Sequence, residues 1–488
     1  MNISERKKEL NVITVGGGVA GLSLANMLEK FGINYSLLEA HTDLAPQAGA
    51  SIALLPTYLG SARALSHLRV SSINLIYVAQ GEQFSLFCAI RKEVRHELRL
   101  RVPIHILTSH RLGYPQVFTE RQQLLRILYD NLKDKSRCMT NKRIERVELC
   151  QDRVQVHTED GSLYEGDVVL GADGTHSIVR EQMLRVIPKS ILKIPDTFSV
   201  SADVRCMFGI SENVQALLRD SEDMITYPGR SYLIISGPSH RTYWFLFESL
   251  NETIRGTILP RYSEEDEIRM VERYANDHVG DSTTFRGVYQ HRLRSALLPM
   301  EEFVSTRWSY DRIITIGDSA HKIDPISGQG GNNAIEDAAT LVNSITRWLS
   351  SHHSREESIA IILSTVQTSR IDRMRQLAKE AHLLQSILTR KAFASQIVSK
   401  YLVPALGIDK ILLRRINAIC VEAPHINVLQ YLRKHAQHRS MTSCHHGQKT
   451  TNDHERVVGI YSLGLCSSAA ILSCFIIRHF LDISCLKQ

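Results

Sequence analysis

Val15-Gly16-Gly17-Gly18-Val19-Ala20-Gly21-Leu22 places G-x-G-x-x-G, at Gly16, Gly18 and Gly21, directly after the apolar run Val12–Val15. That run reads as a buried strand. Leu22 to Phe31 carries apolar residues at helical spacing and stops at Gly32. Tyr35 to Leu38 reads as the next strand and ends in Glu39. This is a strand-turn-helix-strand unit of a parallel sheet. Gly16 permits the tight turn, Gly18 lets the backbone approach a pyrophosphate, and Gly21 allows close helix-strand packing. The helix N-terminus adds partial positive charge. Glu39, at the end of the second strand, can accept hydrogen bonds from an adenosine ribose. The unit therefore specifies a dinucleotide, either FAD or NAD(P).

Two distant segments complete a site. Gly171-Ala172-Asp173-Gly174-Thr175-His176-Ser177 follows the apolar strand Val168–Leu170 and leads to Arg180. Residues 317–333 read G-D-S-A-H-K-I-D-P-I-S-G-Q-G-G-N-N, after a strand over Ile313 to Ile316. Asp318, at that strand's end, can accept hydrogen bonds from ribityl hydroxyls. Pro325 and then Gly328, Gly330 and Gly331 lead into a helix expected to start near Asn332. The amides of that helix end can face the N1–C2 edge of a flavin and stabilise its anionic reduced form.

Elsewhere Arg121 to Leu132 reads as a helix with Leu124, Leu125, Leu128 and Leu132 on one face. Val154–His157 and Leu163–Tyr164 read as a hairpin. From about 197 to 250 the pattern alternates, as in an antiparallel sheet. The fold expected is α/β: a Rossmann-like dinucleotide-binding domain from 1–75, 111–185 and 300–345. Inserted in it is an antiparallel-sheet substrate domain from 76–110 and 186–299. A helical region over 346–435 and a polar linker over 436–456 follow.

The 488 residues suffice for a large core, and 43% are hydrophobic. The net charge of +7 is dispersed rather than gathered in an arm, which argues against nucleic-acid binding. Nine cysteines without a C-x-x-C pair read as reduced thiols facing the cytosol. Cys444-His445-His446 with His454 read as solvated linker, and no metal site is expected. Val457 to Ile477 has no charged residue and is long enough to cross a bilayer as a helix. Lys and Arg are denser before it than after it, which leaves the large N-terminal part cytosolic. The expectation is a single C-terminal membrane anchor, in the endoplasmic reticulum.

These motifs resemble those of FAD-dependent monooxygenases of the aromatic-hydroxylase type, across about residues 10–345. The stretches at 45–56, 113–125, 171–180 and 328–338 are similar to those of fungal epoxidases of meroterpenoid and indole-diterpene pathways. The resemblance implies FAD contacts at Glu39, Ala53, Arg121, Asp318 and Gly331. Position 53 is often Gly in that family. Asp173, Gly328 and Gly330 join this cofactor set. The family's tyrosine near the substrate most nearly matches Tyr227, with Tyr232 as a competitor, although either side chain also suits plain packing.

The resemblance also implies the reaction: NADPH or NADH reduces FAD, O2 adds as a C4a-hydroperoxide, and one oxygen atom passes to a hydrophobic small molecule. The leading reading is epoxidation of a prenyl chain, whose epoxide a downstream terpene cyclase opens. Phenol hydroxylation on the same fold is the alternative. It needs a base, for which His240, Asp203 and Tyr227 are available. A third reading is a non-catalytic prenyl-binding protein.

Overall fold

The structure, a computed structural model, describes residues 10–46, 51–54, 89–94, 97–101, 117–191, 199–214, 222–237, 240–257, 259–350 and 358–389. For 89–94, 97–101 and Val117 it describes the backbone alone. The segment 457–477 and the cysteine-histidine cluster at 444–454 lie outside the described residues. Among the described residues no helix is long and apolar enough to cross a membrane.

Strands and helices are numbered along the chain. A six-stranded sheet combines β1 (Asn11–Val15), β2 (Asn34–Leu38), β7 (Cys138–Met139), β11 (Val168–Gly171), β18 (Ser309–Tyr310) and β19 (Ile313–Thr315). Its order is β18-β19-β11-β1-β2-β7. Every pair is parallel except β18–β19. Parallel strands buried on both faces read as unbroken apolar runs, which is why Val168–Leu170 and Ile313–Ile316 were legible. Helix α1 (Val19–Phe31) covers this sheet and ends at Gly32, whose φ of 69° suits a glycine C-cap. Ten consecutive residues, Val19 to Leu28, are buried. An amphipathic surface helix would not show that. α1 is sandwiched between the sheet and α6 (Gly330–Ser350), which α7 (Ile359–Leu388) covers in turn. α6 starts two residues earlier than the sequence suggested, because left-handed Gly328 ends the preceding 3-10 turn Pro325–Ser327.

Helix α2 (Arg121–Asp130) follows β6 (Val117–Glu120), which pairs with β3 (Ser51–Leu54). Its buried face is Leu124, Leu125 and Leu128; Leu132 is buried just beyond its end. The expected hairpin is present as β9 (Val154–Thr158) and β10 (Leu163–Gly166), with β8 (Ile144–Leu149) as a third strand. Helix α3 (Ile178–Val186) is capped by Ser177.

The second sheet is antiparallel throughout. It comprises β4 (Ala89–Val94), β5 (Glu97–Arg101), β12 (Val200–Glu212), β13 (Glu222–Tyr227), β14 (Arg230–Ser236), β15 (Arg241–Gly256) and β16 (Arg292–Pro299). The order is β16-β12-β15-β14-β13-β5-β4. Side chains alternate between its faces. Met207, Ile225, Tyr227, Tyr232, Ile234, Trp244 and Leu246 form one core with α4 (Glu264–Tyr274) and α5 (Phe285–Gln290). The opposite face presents Cys206, Phe208, Leu233, Ile235, Tyr243, Phe245 and Phe247, which pack with Phe118, Ile326, Leu384 and Leu388. A short ladder of β17 (Phe303–Val304) with β20 (His321–Lys322) adjoins the 317–333 segment.

Candidate active site

The glycine turn is held by its neighbours. Gly16 adopts φ +102°, and a Cβ there would lie 2.4 Å from the Ala172 carbonyl oxygen. A Cβ on Gly21 would lie 1.9 Å from the Gly16 carbonyl oxygen. Both clashes are with backbone, so neither position tolerates a side chain. Gly18 differs: the nearest atom to a Cβ there is the Arg121 Nη2, at 3.7 Å. The turn therefore opens onto a cation, with the α1 N-terminus behind it. The Glu39 carboxylate is buried beside the turn. Its Oε2 accepts from the Gly17 amide at 2.6 Å, and its Oε1 accepts from the His41 amide at 2.9 Å. The His41 ring Nδ1 lies 2.6 Å from the same Oε1, so Oε2 is the oxygen with a lone pair left for a ribose hydroxyl.

Arg121 is half-buried at the start of α2. Among the described residues it has no hydrogen-bond or ion-pair partner. Burial works against its charge, while Asp318 and Glu39 favour it. A guanidinium left without an acceptor between a glycine turn and two carboxylates fits a phosphate-bearing ligand. Its neighbour Glu120 is buried and faces the other way. It ion-pairs with Arg241 and accepts from Arg294 at 2.8 Å, both on the second sheet. That clasp, which sequence reading missed, fixes the helix end that carries Arg121.

The 317–333 segment closes the site. Asp318 lies beyond β19 with its side chain partly exposed, 3.9 Å from Lys322 Nζ. Gly328 has φ +62°, and a Cβ on it would lie 3.3 Å from the Ala53 Cβ. Asn332 Nδ2 donates to the Ala53 carbonyl at 2.8 Å and to the Gly328 carbonyl at 2.6 Å. Ala53, Gly328, Gly330, Gly331 and the first turn of α6 are thus brought together. With Asp318 they supply amides and a carboxylate suited to a flavin ring and its ribityl chain.

Asp173 has a different place from the one expected. Its Oδ1 accepts from Ser177 Oγ at 2.5 Å and from Ser319 Oγ at 3.0 Å, and its Oδ2 accepts from the Val179 amide at 3.1 Å. Burial raises its pKa against these donors. Asp173 therefore ties the 171–177 turn to the 317–319 turn. Arg180 does the same, donating to the Ser319 carbonyl at 2.7 Å and the Thr175 carbonyl at 2.6 Å.

Tyr227 is corrected more strongly. It packs on the α4–α5 face of the second sheet, away from Ile326 and the 324–328 turn. Its hydroxyl donates to the His278 carbonyl at 3.0 Å, and the Arg230 guanidinium lies over its ring. Tyr232 shares that face and donates to Asp277 at 2.5 Å. Period-two alternation puts both tyrosines in the structural core, whereas Leu233 and Tyr243 face the flavin side. His240 is exposed at a hairpin turn with φ +58°. The carboxyl group that does reach the flavin side is Asp324, a residue the sequence reading passed over inside a segment read for its glycines. It is 2% exposed, and its Oδ1 accepts from the Ile326 amide at 2.8 Å.

The comparisons agree with this geometry. A family model described as FAD binding domain matches residues 9–381. The chain is 35% identical over 421 residues to FAD-dependent monooxygenase cdmI of Talaromyces verruculosus, covering 83% of this chain and 85% of that one. It is 30% identical to FAD-dependent monooxygenase ausM of Penicillium brasilianum, covering 85% and 86%. Klebsiella pneumoniae HpxO, solved with FAD and uric acid, matches in fold at a TM-score of 0.62 and 21% identity, over 86% of this chain and 98% of that one. Fold and site together define a flavoprotein oxidoreductase. The chain belongs to the FAD binding domain family and is an FAD-dependent monooxygenase of secondary-metabolite biosynthesis, with NAD(P)H as reductant and O2 as co-substrate.

Proposed function

We propose that this monooxygenase epoxidises an alkene of a prenylated intermediate, of meroterpenoid or indole-diterpene type. The observation that carries the reading is the flavin-side face of the second sheet. Leu233, Ile235, Tyr243, Phe245 and Phe208 line it, and Phe118 and Ile326 pack against it. The Phe118 and Tyr243 ring centroids are 5.4 Å apart, and Phe245 stacks parallel to Phe247 at 6.1 Å. Such a wall suits a hydrocarbon chain held by area rather than by polar anchors. Bound FAD supplies hydride acceptance and oxygen activation. The chain's own part is to seat the cofactor through the glycine turn, Glu39, Arg121 and Asp318, to hold the alkene against the flavin side, and to exclude water.

Phenol hydroxylation remains the second reading, and Asp324 is the observation that favours it, because a carboxylate there can accept a phenolic proton. The two separate on the product of a farnesylated aromatic acid with NADPH. An oxygen on the prenyl chain, opening to a diol in mild acid, supports epoxidation. An oxygen on the ring, stable to acid, refutes it.

A membrane location through 457–477 is part of the proposal, as is delivery of the epoxide to a terpene cyclase. The uncharged run supports the first, and a substrate that partitions into lipid suits it. The full chain should sediment with membranes and resist alkaline carbonate, while a chain ending at residue 456 should not. Equal partitioning of the two would exclude the anchor.

A further inference from the structure

Asp324 lies within electrostatic reach of Glu302 and His382, two titratable side chains that the site described above does not use. Among the described residues its Oδ2 has no donor, although the residue is almost wholly enclosed. Glu302, from the segment between β16 and β17, is near enough for its charge to act on Asp324. Among the described residues the Glu302 Oε1 is buried without a partner, while its Oε2 is 3.0 Å from the His382 Nδ1. His382, on α7, is half exposed, with 52% of its side chain open to solvent. The enclosed, unsatisfied Glu302 Oε1 costs free energy that a purely structural cluster would avoid.

We propose that His382, Glu302 and Asp324 form a proton path from solvent to the substrate side of the flavin site. The inference rests on the monooxygenase class alone and not on which substrate is taken. The stoichiometry requires a proton: substrate, O2, NAD(P)H and H+ give oxygenated substrate, NAD(P)+ and water. The second oxygen atom leaves as water inside an enclosed site. Asp324 gives its proton to that oxygen. Glu302 reprotonates Asp324 and recovers its own proton from His382, whose exposed ring takes one from solvent. No charge accumulates, because each carboxyl group ends as it began.

The groups facing this path come from three elements. Asp203 and Cys206 lie on β12, and the Asp203 Oδ2 is 4.0 Å from the His382 Nδ1. Ile326 and Pro325 come from the turn, and His382 from α7. Burial, with the Glu302 charge adding and the Ile326 amide opposing, pushes the Asp324 carboxyl up to about 7. The hydrogen bond to Glu302 raises His382 against burial, and the Glu302, Asp203 and Asp324 charges add to it. Asp324 can therefore exchange protons near neutral pH, and His382 holds its proton more tightly than an unperturbed imidazole. Cys206 is pushed far up by burial and carries no proton traffic.

The sign of the stability effect follows. A buried carboxyl whose folded pKa exceeds its unfolded value stabilises fully below the unfolded pKa, and loses that contribution as pH rises through about 7. The holoenzyme should therefore lose thermal stability between about pH 4 and pH 7, and Asp324→Asn should flatten that slope.

The direct test follows the two half-reactions of the holoenzyme at pH 8. In His382→Ala, flavin reduction by NADPH should match wild type. The oxygen-dependent step should slow about tenfold or more, and added imidazole should restore it. Glu302→Gln should show the same slowing without rescue by imidazole. The proposal is overturned if both variants keep the wild-type oxygen step, if imidazole restores nothing in His382→Ala, or if both half-reactions slow equally.

Discussion

Arg370→Met should lower the unfolding free energy by about 3–5 kcal/mol, the usual effect of leaving a buried charge without its partner. Arg370 lies on α7 with 1% of its side chain exposed, facing Glu336 and Asp337 of α6, both fully enclosed. It donates through Nε to Asp337 Oδ1 at 2.8 Å, through Nη1 to Glu336, and through Nη2 to Asn333 Oδ1 at 3.0 Å. Arg373 shares Glu336, at 3.0 Å. Burial alone would raise the Asp337 pKa, but His321 and Arg370 outweigh it and hold it at about 2. Methionine fills a similar volume and removes the charge, so Glu336 and Asp337 lose their shared buried counter-ion, leaving Glu336 to Arg373 and Asp337 to His321.

The effect should reach the cofactor. Asp337 Oδ2 accepts from the Gly317 amide at 2.9 Å and lies 2.6 Å from the His321 Nε2. It therefore holds the turn that presents Asp318. The expected readout is a lower denaturant midpoint at unchanged slope, with flavin lost earlier than in wild type. The deficit should shrink as the pH is lowered and the stranded carboxylates protonate. A midpoint equal to wild type would show that this network is not what braces the flavin turn.

The second large effect concerns Arg121. Arg121→Ala should weaken FAD binding by about 2–3 kcal/mol, roughly 30- to 150-fold, the scale of a charge-assisted contact. Stability without the cofactor should barely change, because the guanidinium has no protein partner to lose among the described residues. The contrast with Arg370 is the useful part. One arginine is saturated by protein carboxylates and should act on folding, whereas the other is unsaturated and should act on binding. Titration of flavin-free protein with FAD measures the second. An unchanged affinity would place Arg121 outside the cofactor site.

Much of this was legible in the sequence because it is local. The strands at 12–15, 35–38, 168–170 and 313–316 are short apolar runs, and the glycines at 16, 18 and 21 sit where two backbones cross. What escaped was decided by pairing partners far along the chain. Tyr227 and Tyr243 are both tyrosines on strands of one sheet, yet they face opposite ways. Only the register of β13, β14 and β15 shows which of them looks toward the flavin. Asp173 reads as a cofactor ligand until Ser319, 146 residues later, is seen to donate to it. The Glu120 clasp, the Arg370 network and the line from His382 to Asp324 likewise join residues that no periodicity relates. Asp324 did leave a signal, a carboxylate immediately before Pro325 in a segment that otherwise needs only glycine and one aspartate.

The central claim is an FAD monooxygenase that places one atom of O2 on an apolar chain. The most direct measurement is a turnover of the purified protein under 18O2 with NADPH and a farnesylated aromatic acid. The account predicts bound flavin that NADPH reduces, and an NADPH-dependent product carrying one 18O atom in an epoxide on the prenyl chain. Flavin that NADPH does not reduce, or label recovered only as hydrogen peroxide with the prenyl chain intact, would contradict it.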